Sequence, residues 1–281
     1  MSRVAIQSLD QAAVVPFPAL RGVNAQGSVE SRRVVGAPER SLCLWEHQLA
    51  PGATLNFAAP LVGHVLFVKS GSVSMEGRSL APRWVLIVEH QGGARVEAGA
   101  DGAVLLHFHQ SEDLPPMTSK AGGNVHVVPP EGVVTRNDTE RGTAHSVFST
   151  SHCPTCDLWL HRTSISKPRP PGGAHRHSAD EIIVVTDGQM LLGRARPAGT
   201  VIAIEADTVY GFGVPEQGLS FINFRAVDSG MQMIDRGKPN SDWFSEWEYI
   251  NRHAEIVLYA EPKPAAGVKA PADSLQATGR D

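Results

Sequence analysis

Several features that mark other classes of protein are scarce or missing in this chain of 281 residues. No apolar run approaches the roughly 18 residues that a membrane-spanning helix requires. The first residues also lack a basic segment followed by an apolar stretch, which is the pattern of a secretory signal. We therefore expect a cytoplasmic protein that does not associate with membranes.

Cysteine is scarce, and the chain has no large excess of charge of one sign. The 25 basic and 29 acidic side chains are mixed along the chain, for a net charge of −4, whereas a nucleic-acid-binding protein usually carries a basic stripe. The three cysteines cannot all pair, and we expect free thiols. The expected partner is a small-molecule substrate, not nucleic acid or a membrane, and homodimer formation stays open.

Glycine and proline are abundant, with 27 and 20 residues, and they separate many short apolar segments. Segments such as Val65–Val68, Ile182–Val185 and Val201–Ile204 are bounded by turn-forming residues, which predicts an all-β fold. One helix is predicted over 242–253, where Ser241 can serve as the cap.

The two halves of the chain repeat several features in the same order. Leu44-Trp45-Glu46-His47 recurs as Leu158-Trp159-Leu160-His161, and an apolar strand that ends at Gly71 recurs as one that ends at Gly188. This order predicts two tandem copies of one β-unit.

The repeat and the composition together predict the domain boundaries. The first unit covers 1–120 and the second 143–260, joined by a linker over 121–142 that is rich in glycine, proline and polar residues. Val125–Val128 is predicted to be a strand within this linker. The segment 261–281 is rich in proline and alanine without periodicity, which predicts a disordered tail.

The second unit contains a set of side chains suited to metal binding. On a strand, His175 and His177 project from the same face, and Glu181 enters from the next strand after a short turn. Two imidazoles and one carboxylate can bind one face of a divalent ion and leave positions open for water, substrate or dioxygen.

The spacing His175-x-His177-x3-Glu181-x6-Gly188 resembles the first signature motif of the cupin superfamily. Together with the duplication, it resembles a bicupin and implies two tandem jelly-roll β-barrels, which the short helix predicted over 242–253 would follow. The resemblance implies one divalent metal ion per chain, bound in the second barrel. The donor set favours Fe(II), while Mn, Ni, Zn and Cu are the alternatives.

Tyr210 stands where the second cupin motif supplies another histidine. Three interpretations stay open: Tyr210 binds the metal as a phenolate, it hydrogen-bonds a substrate or a metal-bound water, or it only lines the barrel. If Tyr210 is not the fourth ligand, water or His161 is expected to fill that position.

The first unit lacks this pattern. Aligned on its glycine, it has Ala58 and Pro60 in place of the two histidines and His64 in place of the glutamate, so we expect a degenerate barrel without metal. His107 and His109 are two apart on a predicted strand and could form a separate site, but they are interpreted as an ordinary polar face.

The Cys153-x2-Cys156 pair in the second unit has no second pair to complete a zinc ribbon. A redox pair would be expected at a strand-to-helix turn, whereas this pair precedes a predicted strand. A loop with incidental thiols is therefore the expected interpretation.

The leading functional hypothesis is a metal-dependent enzyme that acts on a small organic molecule by Fe(II)-type dioxygenase chemistry. His175, His177, Glu181 and Tyr210 are the predicted metal ligands, and Glu181 and Tyr210 are also the predicted catalytic groups. The alternatives are a metal-dependent lyase or isomerase and a non-catalytic protein that binds or senses a small molecule. Fold alone does not separate these classes.

Overall fold

A computed structural model describes residues 3–36, 40–227, 229–234, 243–245 and 255–256. In this part of the chain the secondary structure is almost entirely β, which confirms the all-β prediction. Two short 3-10 helices, Leu9–Gln11 and Pro130–Gly132, are the helical elements among these residues. None of the described residues forms a helix that is long and apolar enough to cross a membrane.

The strands follow one another closely along the chain. In the first half they are β1 (Val4–Ser8), β2 (Val14–Val15), β3 (Val23–Gln26), β4 (Val29–Val35), β5 (Leu42–Leu49), β6 (Thr54–Ala58), β7 (His64–Met75), β8 (Arg78–Leu80), β9 (Val85–Val88), β10 (Gly93–Gln110) and β11 (Val125–Val128). In the second half they are β12 (Val134–Asp138), β13 (Thr143–Ser149), β14 (Trp159–Ile165), β15 (Arg169–His177), β16 (Glu181–Leu192), β17 (Arg194–Pro197), β18 (Thr200–Ile204), β19 (Tyr210–Val214), β20 (Leu219–Arg225), β21 (Gly230–Met233), β22 (Phe244–Ser245) and β23 (Glu255–Ile256).

These strands form two curled antiparallel sheets. The first sheet has the order β11-β9-β7-β10-β5-β4-β2, with β6 on β10, β3 on β6 and β8 on β7. The second sheet has the order β22-β21-β15-β19-β16-β20-β14-β13-β12-β23, with β17 and β18 on β16. The N-terminal strand β1 pairs with β18 and therefore belongs to the second sheet.

The apolar side chains form three clusters, one inside each curled sheet and one between the sheets. Alternation along the strands explains this arrangement. On β10, Leu105 faces the interior of the first sheet while Phe108 faces the contact between the sheets. On β20, Phe221 faces the interior of the second sheet while Phe224 packs against Phe108, with ring centroids 5.3 Å apart. The central strands are buried on both faces, so they read as continuous apolar segments.

The repeated glycines occupy equivalent turns in the two sheets. Gly188 has φ +67° and a Cβ at this position would lie 2.1 Å from Gly218 O, while Gly71 has φ +69° and a Cβ there would lie 2.2 Å from Gly102 O. Only glycine fits such a close approach with a left-handed backbone. The recurrence predicted from the sequence thus has a common steric cause.

The predicted strands are present: Val65–Val68 lies in β7, Ile182–Val185 lies in β16, and Val125–Val128 coincides with β11. The helix predicted over 242–253 lies outside the described residues except at 243–245. There the structure has the strand β22, which pairs with β21, and not a helix. The tail predicted over 261–281 also lies outside the described residues.

Candidate metal centre

Two histidines project from β15 into the interior of the second sheet. His175 and His177 are 9% and 4% exposed, and their ring centroids lie 5.2 Å apart in an edge-to-face arrangement. Strand pairing places Tyr210 opposite His175, and these two rings are 4.4 Å apart. The structure thus brings together three of the four side chains predicted to bind metal.

The remaining predicted ligand, Glu181, is the first residue of β16 and is fully buried. Its Oε2 accepts hydrogen bonds of 2.7 Å from Asn223 Nδ2 and from Arg225. The same oxygen lies 4.0 Å from His177 Nε2. Asn223 and Arg225 alternate along β20 and therefore face the interior together. Sequence reasoning missed both, because they follow no recognisable motif and lie far from Glu181 in the chain.

Glu181 is ionised in this environment. Burial raises its pKa, but the charges of His177 and Arg225 and the hydrogen bonds from Tyr210 and Asn223 more than offset burial and lower the pKa to about 2. The site therefore contains a permanent negative charge at neutral pH.

Two observations favour a divalent cation as the ligand of this donor set. His175 Nδ1 donates to Gly173 O at 2.7 Å, which leaves the lone pair of the neutral ring on Nε2, as in most metal-binding histidines. Glu181 Oε1 is buried and has no hydrogen-bond partner among the described residues. Buried carboxylate oxygens normally have a partner, and a bound cation would satisfy this one.

Arg225 is the side chain with which a metal would compete. Its guanidinium lies 2.7 Å from Glu181 Oε2 and 3.2 Å from His177 Nε2. Within the described residues, the donor atoms of His175, His177 and Glu181 do not all lie within 4.8 Å of one another. Binding by all three would therefore require His177 Nε2 to exchange Arg225 for the ion.

His161 is a further histidine inside the second sheet, and its hydrogen bonding defines its tautomer. Trp159 Nε1 donates to His161 Nδ1 at 2.8 Å. An indole N–H can only donate, so neutral His161 carries its proton on Nε2. This nitrogen then has no lone pair for a metal, and His161 is better suited to donate a proton than to act as a fourth ligand.

A cavity of about 630 Å³ opens above these residues, which is within the usual range for small-molecule sites. His175, His177 and Tyr210 line it together with apolar side chains such as Phe212 and Phe221. Its lining also includes three cations and two carboxylates, namely Arg141, Lys167, Arg169, Asp138 and Glu140. The cavity wall therefore contains one more basic than acidic side chain apart from its histidines, and His175 and His177 line the same cavity.

The interior of the first sheet contains four buried histidines: His47, His64, His107 and His109. His107 contacts two of them, with ring nitrogens 3.0 Å from His47 and 2.8 Å from His64. Burial lowers the pKa of His47 to about 3 and that of His109 to about 4, and it lowers the pKa values of His64 and His107 well below 6.5. The interpretation of His107 and His109 as an ordinary polar face is therefore wrong, because both lie inside the sheet as neutral imidazoles.

No family model matches the chain, and no curated protein matches it. Solved structures do share its fold. An oxalate decarboxylase from Lactobacillus farciminis, solved with formate, is 12% identical with a TM-score of 0.59, over 88% of this chain and 90% of that one. A proposed dioxygenase from Nostoc punctiforme is 11% identical with a TM-score of 0.58, over 86% of each chain. A cupin 2 conserved barrel domain protein from Leptotrichia buccalis is 13% identical with a TM-score of 0.51, over 72% of this chain and 90% of that one.

These comparisons define the class of fold. The two curled antiparallel sheets are cupin-type jelly-roll barrels, as the resemblance of the sequence motif implied. At identities this low, the likeness shows the fold alone and leaves the chemistry to the site.

Proposed function

We propose that this chain is a bicupin whose second barrel binds one divalent metal ion and acts as an enzyme on a small organic anion. The observation that carries the proposal is Glu181 Oε1, a buried carboxylate oxygen without a hydrogen-bond partner among the described residues. A buried carboxylate oxygen that lacks a hydrogen-bond partner is costly, even though the other oxygen of Glu181 pairs with Arg225. A cation held by Glu181 and the two histidines would remove that cost beside a cavity large enough for a substrate.

In this proposal, His175, His177 and Glu181 are the metal ligands. Tyr210 has a hydrogen bond to Glu181 that helps to lower the pKa of the carboxyl group. This contact favours a hydroxyl that donates its one proton to the carboxylate and orients it, with direct ligation by Tyr210 as the alternative. Arg225 keeps Glu181 ionised and fixes Oε2, so that Oε1 is the oxygen available to the ion.

The surroundings of the cavity favour an anionic substrate. Lys167 donates hydrogen bonds to the backbone oxygens of Thr139 and Glu140. Neither of these acceptors is a carboxylate, so these contacts do not neutralise the charge of Lys167. Arg169 lies over the ring of Phe212, with 5.3 Å between the guanidinium carbon and the ring centroid. A small carboxylate or enolate would meet these cations at the opening and the imidazoles further in.

Dioxygenase chemistry is the leading reaction class within this proposal. Fe(II) bound by two histidines and one carboxylate supplies open positions at which a substrate and dioxygen can meet. The chain would contribute an apolar wall from Ile183, Phe212 and Phe221 that limits access of water, and a proton on His161 Nε2. The chain shares its fold with a proposed dioxygenase, so the fold is compatible with this class.

A lyase or isomerase reaction is the second candidate, since the chain also shares its fold with an oxalate decarboxylase. A metal that acts as a Lewis acid would polarise a carboxylate or carbonyl group of the substrate. Tyr210 and His161 would then move protons at the substrate, and no dioxygen would be consumed in the net reaction.

Metal analysis of the full chain, purified without chelators, tests the proposal. His177→Ala should lose the ion of the second barrel, whereas His64→Ala, which removes a buried histidine from the first barrel, should retain it. Loss of the ion only in the His64 variant would overturn the assignment. Dioxygen uptake by the iron-loaded protein, measured with a panel of small organic acids, separates the two reaction classes. Binding of these acids without turnover of any would favour a sensor.

A further inference from the structure

A second group of metal-binding side chains lies between the two sheets, away from the cavity. Glu89 follows β9 and His126 lies on β11, both in the first sheet, while Cys153 and Cys156 lie in the loop between β13 and β14 of the second sheet. One donor atom from each of the four lies within 4.8 Å of every other. Among the described residues, no other group of three or more His, Cys, Asp or Glu side chains converges this closely.

The carboxylate of Glu89 is the centre of this group. The residue is fully buried, and its Oε1 accepts hydrogen bonds from Thr155 Oγ1 at 2.6 Å and from His126 Nε2 at 2.8 Å. Cys153 Sγ lies 3.6 Å from the same oxygen. The other oxygen, Oε2, accepts the backbone N–H of Asn124 at 3.0 Å, which fixes the orientation of the carboxylate.

The loop that supplies the two thiols is also held in place. Lys120 Nζ donates to the backbone oxygens of Ser151, Cys153 and Cys156 at 2.5, 2.8 and 3.0 Å. The same amine pairs with Asp157 at 2.7 Å. The thiols therefore approach Glu89 from a loop whose backbone is fixed by three contacts to one cation.

We propose that Glu89, His126, Cys153 and Cys156 bind a zinc ion that ties the two sheets together. Two thiolates, one imidazole and one carboxylate are all ligands that Zn²⁺ accepts, and four protein ligands make a closed, structural site. With Zn–S of about 2.3 Å and Zn–N of about 2.0 Å, a tetrahedral site places its donor atoms roughly 3.3–3.8 Å apart. The present donors all lie within 4.8 Å of one another and would adjust to that spacing around the ion.

The site is distinct from the one in the second barrel in both chemistry and place. Its ligands include two thiolates, which favour Zn²⁺. The site in the second barrel has only imidazole and carboxylate ligands, which suit Fe(II) with open positions. It joins Glu89 and His126 to the loop of the other sheet, so the ion would cross-link segments that are far apart in the sequence. Such a link would stabilise the contact between the sheets and take no part in turnover.

Cobalt substitution of the full chain tests this proposal without an activity assay. Tetrahedral Co²⁺ with thiolate ligands gives a thiolate-to-metal charge-transfer band and strong visible absorption, which an imidazole and carboxylate site in the barrel cannot give. We expect this spectrum in the wild type and in His177→Ala, which separates it from the proposed function. Zinc added in excess should displace the cobalt and remove the bands.

Variants identify the ligands. Cys153→Ser and Cys156→Ser should each lower zinc affinity by at least about 100-fold, since even outer-shell partners of a metal typically contribute 10- to 100-fold. Cys43→Ser is the matched control, because Cys43 is a free thiol outside the group and its loss should change nothing. His126→Ala is the ligand variant that we expect to disturb folding least, because the His126 side chain is 38% exposed.

The outcomes separate the proposal from its rivals. Thiolate bands in the wild type that disappear in both cysteine variants and weaken in His126→Ala support it. Absence of these bands, equal zinc affinity in the variants and the wild type, or a Cys153–Cys156 disulfide that persists with zinc present under reducing conditions would overturn it.

Discussion

Arg225 and Glu181 form a buried ion pair, with 2.7 Å between the guanidinium nitrogen and Oε2 and with both side chains 1% exposed. Ile182 on β16 pairs with Phe224 on β20, so the two charged residues are next in register. In the first sheet, β7 and β10 pair His64 with His109. The cross-strand pair Glu181 and Arg225 of the second sheet therefore corresponds to the pair His64 and His109 of the first sheet. The same place in the duplicated unit holds an ion pair in one copy and two neutral imidazoles in the other.

The ion pair leads to a prediction about metal affinity. Arg225→Met leaves Glu181 as an uncompensated buried charge, and breaking one partner of such a pair typically costs about 3–5 kcal/mol. It also removes the cation that occupies His177 Nε2. We expect the metal-free variant to lose much of its thermal stability and its affinity for the metal to rise. Added Fe²⁺ or Mn²⁺ should therefore restore much of the stability.

Arg162→Met is the matched control, since Arg162 pairs with Asp187 at 3.1 Å on the surface. Exposed pairs of this kind contribute about 0–1 kcal/mol, and the metal should not affect this variant. Equal destabilisation of the two variants, with no rescue of Arg225→Met by metal, would contradict a cation site at Glu181.

Tyr210→Phe tests which of the open interpretations of this residue holds. The hydrogen bond between Tyr210 and Glu181 favours a proton-donating or positioning hydroxyl. We therefore expect the variant to retain its metal and to lose about 10²–10⁴-fold in turnover, the range typical of general acid–base catalysis. If the Fe(III) form of the wild type instead shows a phenolate charge-transfer colour that the variant lacks, Tyr210 is a ligand. Unchanged metal content, colour and turnover would make it a wall residue.

The four buried histidines of the first sheet predict sensitivity to acid. Their pKa values in the folded protein lie well below 6.5, with His47 at about 3 and His109 at about 4 because of burial. Below pH 6.5 the unfolded chain therefore binds more protons than the folded one, and stability falls as the pH falls. Each such histidine contributes about 1.4 kcal/mol per pH unit until its folded pKa is reached.

Urea unfolding between pH 7 and pH 5 measures this effect. His47→Gln should reduce the loss of stability by about 1.4 kcal/mol per pH unit. A slope that His47→Gln does not change would show that other groups govern the acid transition.

Gly188 and Gly193 have the same φ but different surroundings, so alanine variants at the two positions distinguish the cost of a steric clash from the cost of backbone strain. Gly188 and Gly193 both have φ +67°, but a Cβ at Gly188 would meet Gly218 O at 2.1 Å, whereas a Cβ at Gly193 meets nothing within 4 Å. Gly193→Ala should cost about 1–2 kcal/mol, the strain of a left-handed L-residue. Gly188→Ala should cost about 1–3 kcal/mol more because the adjacent turn must move. Equal free energies of unfolding for the two variants would show that the turn relaxes freely.

The sequence by itself determined the local features of this protein. Strand segments such as Val125–Val128 and Ile182–Val185 were predictable because turn-forming residues bound short apolar runs. The common role of Gly71 and Gly188 was visible as a recurrence, since a close backbone approach leaves no other residue type at that position. The shared face of His175 and His177 follows from the period of two along a strand.

Only the tertiary structure decided which distant residues meet. The period of a strand fixes the face on which a side chain lies but not the strand beside it, so Arg225 could not be placed next to Glu181 and His177 from the sequence. For the same reason the histidines of the first sheet were separate residues until β5, β7 and β10 paired. Cys153 and Cys156 read as an incomplete pair because their partners, Glu89 and His126, come from the other sheet. Packing between the sheets brings these four side chains together, and no local pattern in the chain encodes that contact.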